Sequence, residues 1–412
     1  MSVAVIGGGA AGMMAAAAAL EAGAAVTLYE PNRILGKKLR ITGKGRCNVT
    51  NNCPPEEILK NVITNKKFLY SSIYKFTPED CMAYFEGLGV PLKTERGRRV
   101  FPVSDKAADV SDALENYIVS LGCDIIRQRA TGIIISDGKA TGVLTPEGPR
   151  EHSAVILCTG GVSYPGTGST GDGHRMAREL GIAVTPLKPS LVPVILRENT
   201  APLMGLSLKN VRLCVFLGDK EITGEMGEML FTHFGVSGPL VLSASAHMQE
   251  QPVDRYRMEI DLKPALDSET LDRRLIQDLQ KYSAKDFINS LGDLLPAKLI
   301  DEVVRRCGID PRKKSGEVTK AERHRLLDTL KHFTLTPRAF RSLDEAVVTA
   351  GGIDVKEIQP ATMMSKTYAG LFFAGEIIDV DAYTGGYNLQ IAWSTGRKAG
   401  ESAADYSFKN EG

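Results

Sequence analysis

The chain has no excess of charge of one sign. Fifty Lys/Arg stand against forty-nine Asp/Glu, for a net charge of +1. That balance argues against a dedicated nucleic-acid binder, whose footprint is usually basic. It also has no Cys-x-x-Cys pair. Its seven cysteines, at 47, 53, 81, 123, 158, 214 and 307, are scattered and odd in number. A thiol–disulfide centre and a zinc ribbon are therefore unsupported, and the chain reads as reduced and cytoplasmic. No uninterrupted apolar run is long enough to span a membrane. The apolar start, MSVAVIGGGAAGMMAAAAAL, has no basic residues ahead of it and is broken by glycines. It reads as strand plus helix, not as a signal peptide. Gly-x-Ser-x-Gly, His-Glu-x-x-His and Walker A sequences are missing, so hydrolase, zinc-protease and NTPase readings have no support. His152, His247, His324 and His332 show no metal-ligand spacing.

What the chain does have is 412 residues, enough for two or three domains, and forty-one glycines, several clustered in short loops. Ser2 to Ile6 is a short apolar run suited to a buried parallel strand. Gly7-Gly8-Gly9-Ala10-Ala11-Gly12 and an Ala-rich helix follow, then a second strand ending at Glu30. This βαβ unit carries the dinucleotide fingerprint. Gly7 makes the tight turn, Gly9 admits a pyrophosphate, and Gly12 packs helix on sheet. The helix amino end offers free N–H groups to phosphate. Glu30 suits a ribose 2′-hydroxyl and would repel a 2′-phosphate.

The stretch ILGKKLRITGKGRCNVTNN, residues 34–52, comes next, with Lys37, Lys38, Arg40, Lys44 and Arg46 on a glycine-punctuated segment. Such density of cations and flexible backbone predicts an anion close by. Gly43-Lys44-Gly45-Arg46-Cys47-Asn48 suits wrapping an extended dinucleotide, so the charge is expected to serve a bound cofactor. Cys47, with no partner cysteine nearby, is expected to pack beside it non-covalently. A second glycine motif, Gly166 to Gly171, follows Tyr164-Pro165 instead of a strand and lacks the later acid. It is read as part of the same domain.

The middle changes character. Residues 130–157 read as an antiparallel meander, 190–267 are β-rich, and 268–341 are helical and charged, with sixteen Lys/Arg and eleven Asp/Glu. Strand character then returns, and a last helix begins near Asn388. The expected division is 1–189 and 342–412 for one parent nucleotide-binding domain, interrupted by inserts at 190–267 and 268–341.

GGGAAGMMAA, LGKKLRITGKGRCNVTN, FTHFGVSGPLVLS at 231–243, TAGGI at 349–353 and AGEIIDVDAYTGGYNLQIAWSTGRKAG resemble the YhiN/BaiN-like family of FAD-dependent oxidoreductases. The likeness covers nearly the whole chain. It implies an α/β fold: a Rossmann-like FAD-binding domain of parallel sheet plus β-meander, interrupted by a β-barrel-like insertion and a small helical insertion. It also implies that Ala11 and Glu30 hold the adenosine diphosphate half of FAD. Lys38, Gly43, Gly45, Arg46, Cys47 and Asn48 would follow the ribityl and flavin end. Ala130 would meet the adenine, Thr159-Gly160-Gly161 the pyrophosphate, and Gly375 and Glu376 the ribityl chain, with Asp379 a weaker candidate. For Gly386, Tyr387, Asn388, Leu389 and Gln390 a physical reason stands beside the likeness. A helix amino end contributes about half a positive charge, which would stabilise a reduced, anionic flavin. Asn388 also reads as a helix cap.

A bound flavin handles the hydride and leaves orientation, proton transfer and exclusion of water to the protein. His233, in a Gly/Ser/Pro loop, is the leading acid/base candidate, set against a histidine hydrogen-bonded within its own loop. Tyr387 is the second catalytic candidate, ahead of Tyr164 and Tyr383, and the plainer reading of all three is packing. The expected activity is flavin-mediated hydride transfer to an organic small-molecule substrate. The resemblance points to reduction of a conjugated C=C, with NAD(P)H as a transient donor. An O2-using oxidase of a small amine is the alternative. An RNA-associated flavoprotein using the basic helical stretch ranks third, and no nucleic-acid or membrane partner is expected.

Overall fold

The computed structural model describes residues 2–409. The chain divides into two compact units, one running to Ser190 and resuming at Leu343, the other Leu191–Ser342. In the first unit a five-stranded parallel sheet has the order Leu371–Phe373, Ala154–Leu157, Ser2–Ile6, Ala25–Tyr29, Asp124–Ile126. The three central strands lie under cover on both faces, which is why their sequences are nearly continuous apolar runs. Ile6 is in register with Tyr29 on one side and Leu157 on the other, and Leu157 with Phe373. Gly7, Glu30, Cys158 and Ala374 therefore leave the sheet level with one another at its carboxyl edge. The chain builds outward on one side of Ser2–Ile6, then crosses to the other at Ala154–Leu157. Such a switch point is where doubly wound sheets bind ligands.

The Ala10–Glu21 helix is buried almost all round, which explains its alanines. Sheet covers one side and the Tyr387–Lys409 helix the other. Gly396 and Gly400 permit that approach, because a Cβ on either would collide with the Ala11 or Ala15 carbonyl. The two ends of the chain thus share one core. The meander forms as Gly132–Ser136, Lys139–Thr145 and Gly148–Glu151.

The second unit holds a seven-stranded antiparallel sheet. Its two edge strands, Phe333–Leu335 and Pro337–Phe340, are separated in sequence by Thr336 alone. The sheet must therefore curl until its edges meet, the condition for a barrel. Helices Ser268–Lys281, Ala297–Cys307 and Lys320–Lys331 bury Leu271, Leu299 and Leu326 in the same cluster as Val215, Met258 and Phe333 of the sheet. Where the sequence suggests separate inserts at 190–267 and 268–341, the structure has one unit, because the barrel takes its closing strands from 268–341. Among the described residues no helix is long and apolar enough to cross a membrane.

Candidate functional site

At the carboxyl edge the three glycines of the first turn have different surroundings. Gly7 has φ +104° and its N–H bonds the Tyr29 carbonyl at 2.9 Å. A Cβ on Gly12 would collide with the Gly7 carbonyl, whereas a Cβ on Gly9 would meet nothing within 4 Å. The Ala10–Glu21 helix has no side-chain cap and no acid in its first turn. An open cradle beside uncapped N–H groups fits a phosphate. Ala11 sits in that first turn, buried. Glu30, also buried, accepts hydrogen bonds from the N–H groups of Gly8 and Asn32, both 2.8 Å, and from the Asn32 side chain at 2.7 Å. A carboxylate offers about four lone-pair positions, so one remains for a ribose hydroxyl.

Beside Glu30 a cavity of about 50 Å³ is lined by Glu30, Arg129, Ala130, Thr159 and Thr170 among others. Thr159 Oγ1 is buried and without a hydrogen-bond partner there. Gly160 has φ +73°, and Gly161 packs on Thr349 and Glu376. The second glycine motif folds over this corner: Asn32 donates to the Thr167 carbonyl at 3.2 Å and Lys37 to the Gly166 carbonyl at 2.8 Å. No strand precedes it, only a 3₁₀ turn at Pro165–Thr167.

The basic loop departs from expectation. Lys38 Nζ lies 2.7 Å from both Glu376 Oε2 and Ser163 Oγ. Arg40 pairs with Asp112. Arg46 pairs with Glu95 and Asp105 and stacks on Phe101, 4.1 Å from the ring centre. With Lys37 on a carbonyl, only Lys44 of the five cations has no partner among the described residues. The loop's charge is thus largely neutralised inside the protein, and what it keeps for a ligand is backbone. Gly43, Lys44 and Gly45 all have positive φ, a left-handed turn that a lysine adopts only at a cost. Asn48 Oδ1 is buried without a hydrogen-bond partner. Together with Thr159 Oγ1 and the open space at Gly9, it supports the fit of an extended polar ligand. Cys47 is fully buried, and burial pushes its thiol up to about 12, so it packs and does not react.

The C-terminal segment closes the same site. Gly375 N–H bonds Thr395 Oγ1 at 3.0 Å. Burial alone would raise the Glu376 carboxyl. The Lys38 charge, with hydrogen bonds from Lys38, the Thr349 N–H and Ser163, outweighs it and holds the carboxyl below its ordinary value. Gly386 touches the Thr50 backbone so closely that a Cβ would collide with it. Asn388 does not cap the helix. It clamps the preceding turn, accepting from the Ala382 N–H and donating to the Ala382 and Tyr383 carbonyls. Gln390 accepts from the Thr50 hydroxyl at 2.6 Å and donates to the Phe76 carbonyl and Ser394, while Leu389 packs on the core. The Thr50–Gln390 bond, with Asn51 Nδ2 donating to the Gly385 carbonyl at 3.0 Å, holds residues 50–51 and 385–390 together. The Tyr387–Lys409 helix has no acid in its first turn, which leaves its amino-end dipole uncompensated.

Tyr387 is half-buried at that end, and burial raises its pKa, so its hydroxyl is protonated at neutral pH. His233 lies in the second unit, exposed and edge-on to Phe234 with ring centres 5.0 Å apart. It makes no hydrogen bond among the described residues, so the plainer reading of a loop-bonded histidine does not hold. Residues not singled out from sequence include Ser163 and Thr349. Thr349 Oγ1 accepts from the Val162 and Ser163 N–H groups at 2.9 and 3.1 Å. Its place in TAGGI was the one available signal.

A family model described as HI0933-like protein Rossmann domain matches residues 1–402. The chain is 30% identical over 414 residues to the 3-dehydro-bile acid delta(4,6)-reductase of Clostridium scindens, covering 98% of this chain and 99% of that protein. It is 31% identical over 396 residues to the ribosomal RNA dihydrouridine synthase of Haemophilus influenzae, covering 95% of each. The Escherichia coli protein of that name is 30% identical over 402 residues, again 95% of each. Among solved structures, 3-ketosteroid delta1-dehydrogenase from Sterolibacterium denitrificans superposes with a TM-score of 0.53 at 13% identity, over 98% of this chain and 99% of that one. That likeness is one of fold.

Proposed function

The chain belongs to the HI0933-like Rossmann-domain family and is an FAD-dependent oxidoreductase, and on that premise we propose that it saturates a C=C bond conjugated to a carbonyl, with NAD(P)H as donor. The open, uncapped cradle at Gly9, walled by both ends of the chain, is the observation that carries FAD as the working cofactor. The names of the relatives support the bond type. A delta(4,6)-reductase of a 3-dehydro bile acid removes unsaturation in line with a ketone. A dihydrouridine synthase saturates the C5=C6 bond of uracil, which is conjugated to its C4 carbonyl. Two substrates of different size thus present one electronic problem.

When bound, FAD supplies two-electron hydride acceptance and donation. The chain's own residues do the rest. The Gly9 and Ala11 backbone would hold the diphosphate, Glu30 a ribose hydroxyl, and Thr159 and Ala130 the adenosine side. The left-handed Gly43–Gly45 turn and Asn48 would hold the flavin end by backbone and amide groups. Glu376, tied to Lys38, would fix Gly375 beside the ribityl chain. The Tyr387–Lys409 helix would direct its positive end at developing negative charge. Tyr387 Oη, protonated at neutral pH, would hold the proton delivered to the substrate carbon next to the carbonyl.

The test is product mass. Anaerobic holoenzyme with NADH or NADPH is mixed with an unsaturated 3-oxo bile acid or with uridine-containing RNA. A product heavier by two hydrogens is expected from at least one. Oxidation of a small amine with peroxide release, and no saturation of either substrate, would overturn the reading.

A further inference from the structure

Residues 58–76, ILKNVITNKKFLYSSIYKF, carry four lysines and no acid. A 3₁₀ turn, Lys66–Leu69, runs into the helix Tyr70–Lys75. Phe68, Leu69, Ile73 and Phe76 are buried beneath it. Lys66, Lys67, Tyr70, Tyr74 and Lys75 are exposed, with Tyr70 at 51% and Tyr74 at 47%. Tyr70 and Tyr74, four apart on the α-helix, share one face, and Lys66 and Lys67 stand in the turn that leads into it. The two rings stack, 6.1 Å between centres and 13° between planes. Tyr74 Oη donates to Glu56 at 2.7 Å, which fixes the inner ring. Neither Tyr70 nor Lys66 nor Lys67 has a partner among the described residues beyond that stacking, and Lys75 reaches Glu401 only at 4.0 Å. The contrast with loop 34–52 is sharp. There Lys38, Arg40 and Arg46 are paired with acids, and here Lys60 pairs with Glu57 at 3.2 Å, whereas Lys66 and Lys67 stand free beside aromatic faces.

This surface also adjoins the site. Ile63 N–H bonds the Asp381 carbonyl at 2.8 Å, Asn65 Nδ2 bonds the Asp379 carbonyl at 2.8 Å, and Tyr383 N–H bonds the Asn61 carbonyl at 3.0 Å. Residues 61–65 are thereby stitched to the segment that leads into Gly385–Gln390.

We propose that this surface docks single-stranded RNA, with a base stacked on Tyr70 and backbone phosphates on Lys66 and Lys67. An exposed aromatic platform flanked by uncompensated cations is what a single strand requires, since every base has a π-face and every linkage a negative charge. The inference rests on the proposed saturation of a conjugated C=C and specifies uracil within an RNA strand as its carrier.

The test is fluorescence anisotropy of a short, labelled, uridine-rich RNA with the FAD-loaded protein, between about 50 and 200 mM salt. Wild type is compared with Lys66→Glu/Lys67→Glu and with Tyr70→Ala. The flavin spectrum and reduction by NADPH serve as controls for folding. Wild-type affinity should fall steeply with salt. The double variant should bind at least tenfold more weakly, with a salt slope smaller by about 1.4, or about 0.7 per lost phosphate contact. Tyr70→Ala should lose about tenfold, the low end of one base stack. No binding at low salt, equal binding by all three proteins, or lysine-dependent binding to anionic vesicles in place of RNA would each overturn the proposal. If RNA fails to bind while a small enone is still saturated, the surface is wrong and the activity stands. If neither substrate is saturated, the activity itself is wrong.

Discussion

Gly9 and Gly12 stand three residues apart and should answer the same substitution in opposite ways. Gly9 has negative φ and open space around its Cβ position, while a Cβ on Gly12 runs into the Gly7 carbonyl. Gly12→Ala should cost about 1–3 kcal/mol by overpacking. Gly9→Ala should leave the melting temperature within the usual range of a neutral substitution, about 0.5 kcal/mol, yet weaken FAD retention by filling the cradle. Thermal melts alongside flavin absorbance separate the two effects. Equal loss of FAD and stability from both would deny Gly9 its role.

His174 is fully buried in neutral form, its Nε2–H donated to the Ile377 carbonyl at 3.2 Å, and burial lowers its pKa from 6.5 to about 4. The unfolded chain therefore binds a proton that the folded protein refuses between those values. Stability from this group is full above about pH 6.5 and falls as pH drops toward 4, by at most about 3 kcal/mol. His152 is lowered to about 4 as well, again chiefly by burial, so it shares that window. Urea unfolding at neutral and mildly acid pH should show a smaller acid loss in His174→Gln than in wild type, with His152→Gln as the companion. An unchanged acid limb in both variants would contradict the assignment.

The Ala10–Glu21 and Tyr387–Lys409 helices meet backbone to backbone at Gly396 and Gly400. Gly396→Leu should push the C-terminal helix off the Ala11 carbonyl and tilt the phosphate-facing turn. Both the melting temperature and FAD content should fall, at a cost of about 1–3 kcal/mol or more. A variant that keeps its full flavin complement would show that the packing does not position the site. Elements were legible where their cause was local. The βαβ turn and the acid at its end sit within a few residues of what they do, whereas Gly396 and Gly400 act on a helix at the other end of the chain. The fate of the basic loop was not local. Arg40 meets Asp112, Arg46 meets Glu95 and Asp105, and Lys38 meets Glu376, separations of 72, 49, 59 and 338 residues. A run of cations in sequence says nothing about acids the fold brings to it. Asn388 gave a similar lesson, since capping and clamping use the same side chain and only the turn at 382–388 decides between them.

Over the whole molecule, the sequence conveyed one nucleotide fold made from both chain ends and a different middle. It did not convey that the β-rich and helical stretches form one unit. Phe333–Leu335 and Pro337–Phe340 are short strands in a helical, charged stretch, and only long-range pairing identifies them as the two edges of a closing sheet. The functional account depends on that larger arrangement less than on the clasp around FAD and the fate of the hydride. The most direct measurement is anaerobic stopped-flow with FAD reduced in advance, mixed in parallel with a conjugated enone, with uridine-containing RNA and with air-saturated buffer. The expected result is rapid return of the oxidised flavin spectrum with a C=C substrate and sluggish return in air. Fast reoxidation by air with peroxide release, and none by either unsaturated substrate, would contradict the account.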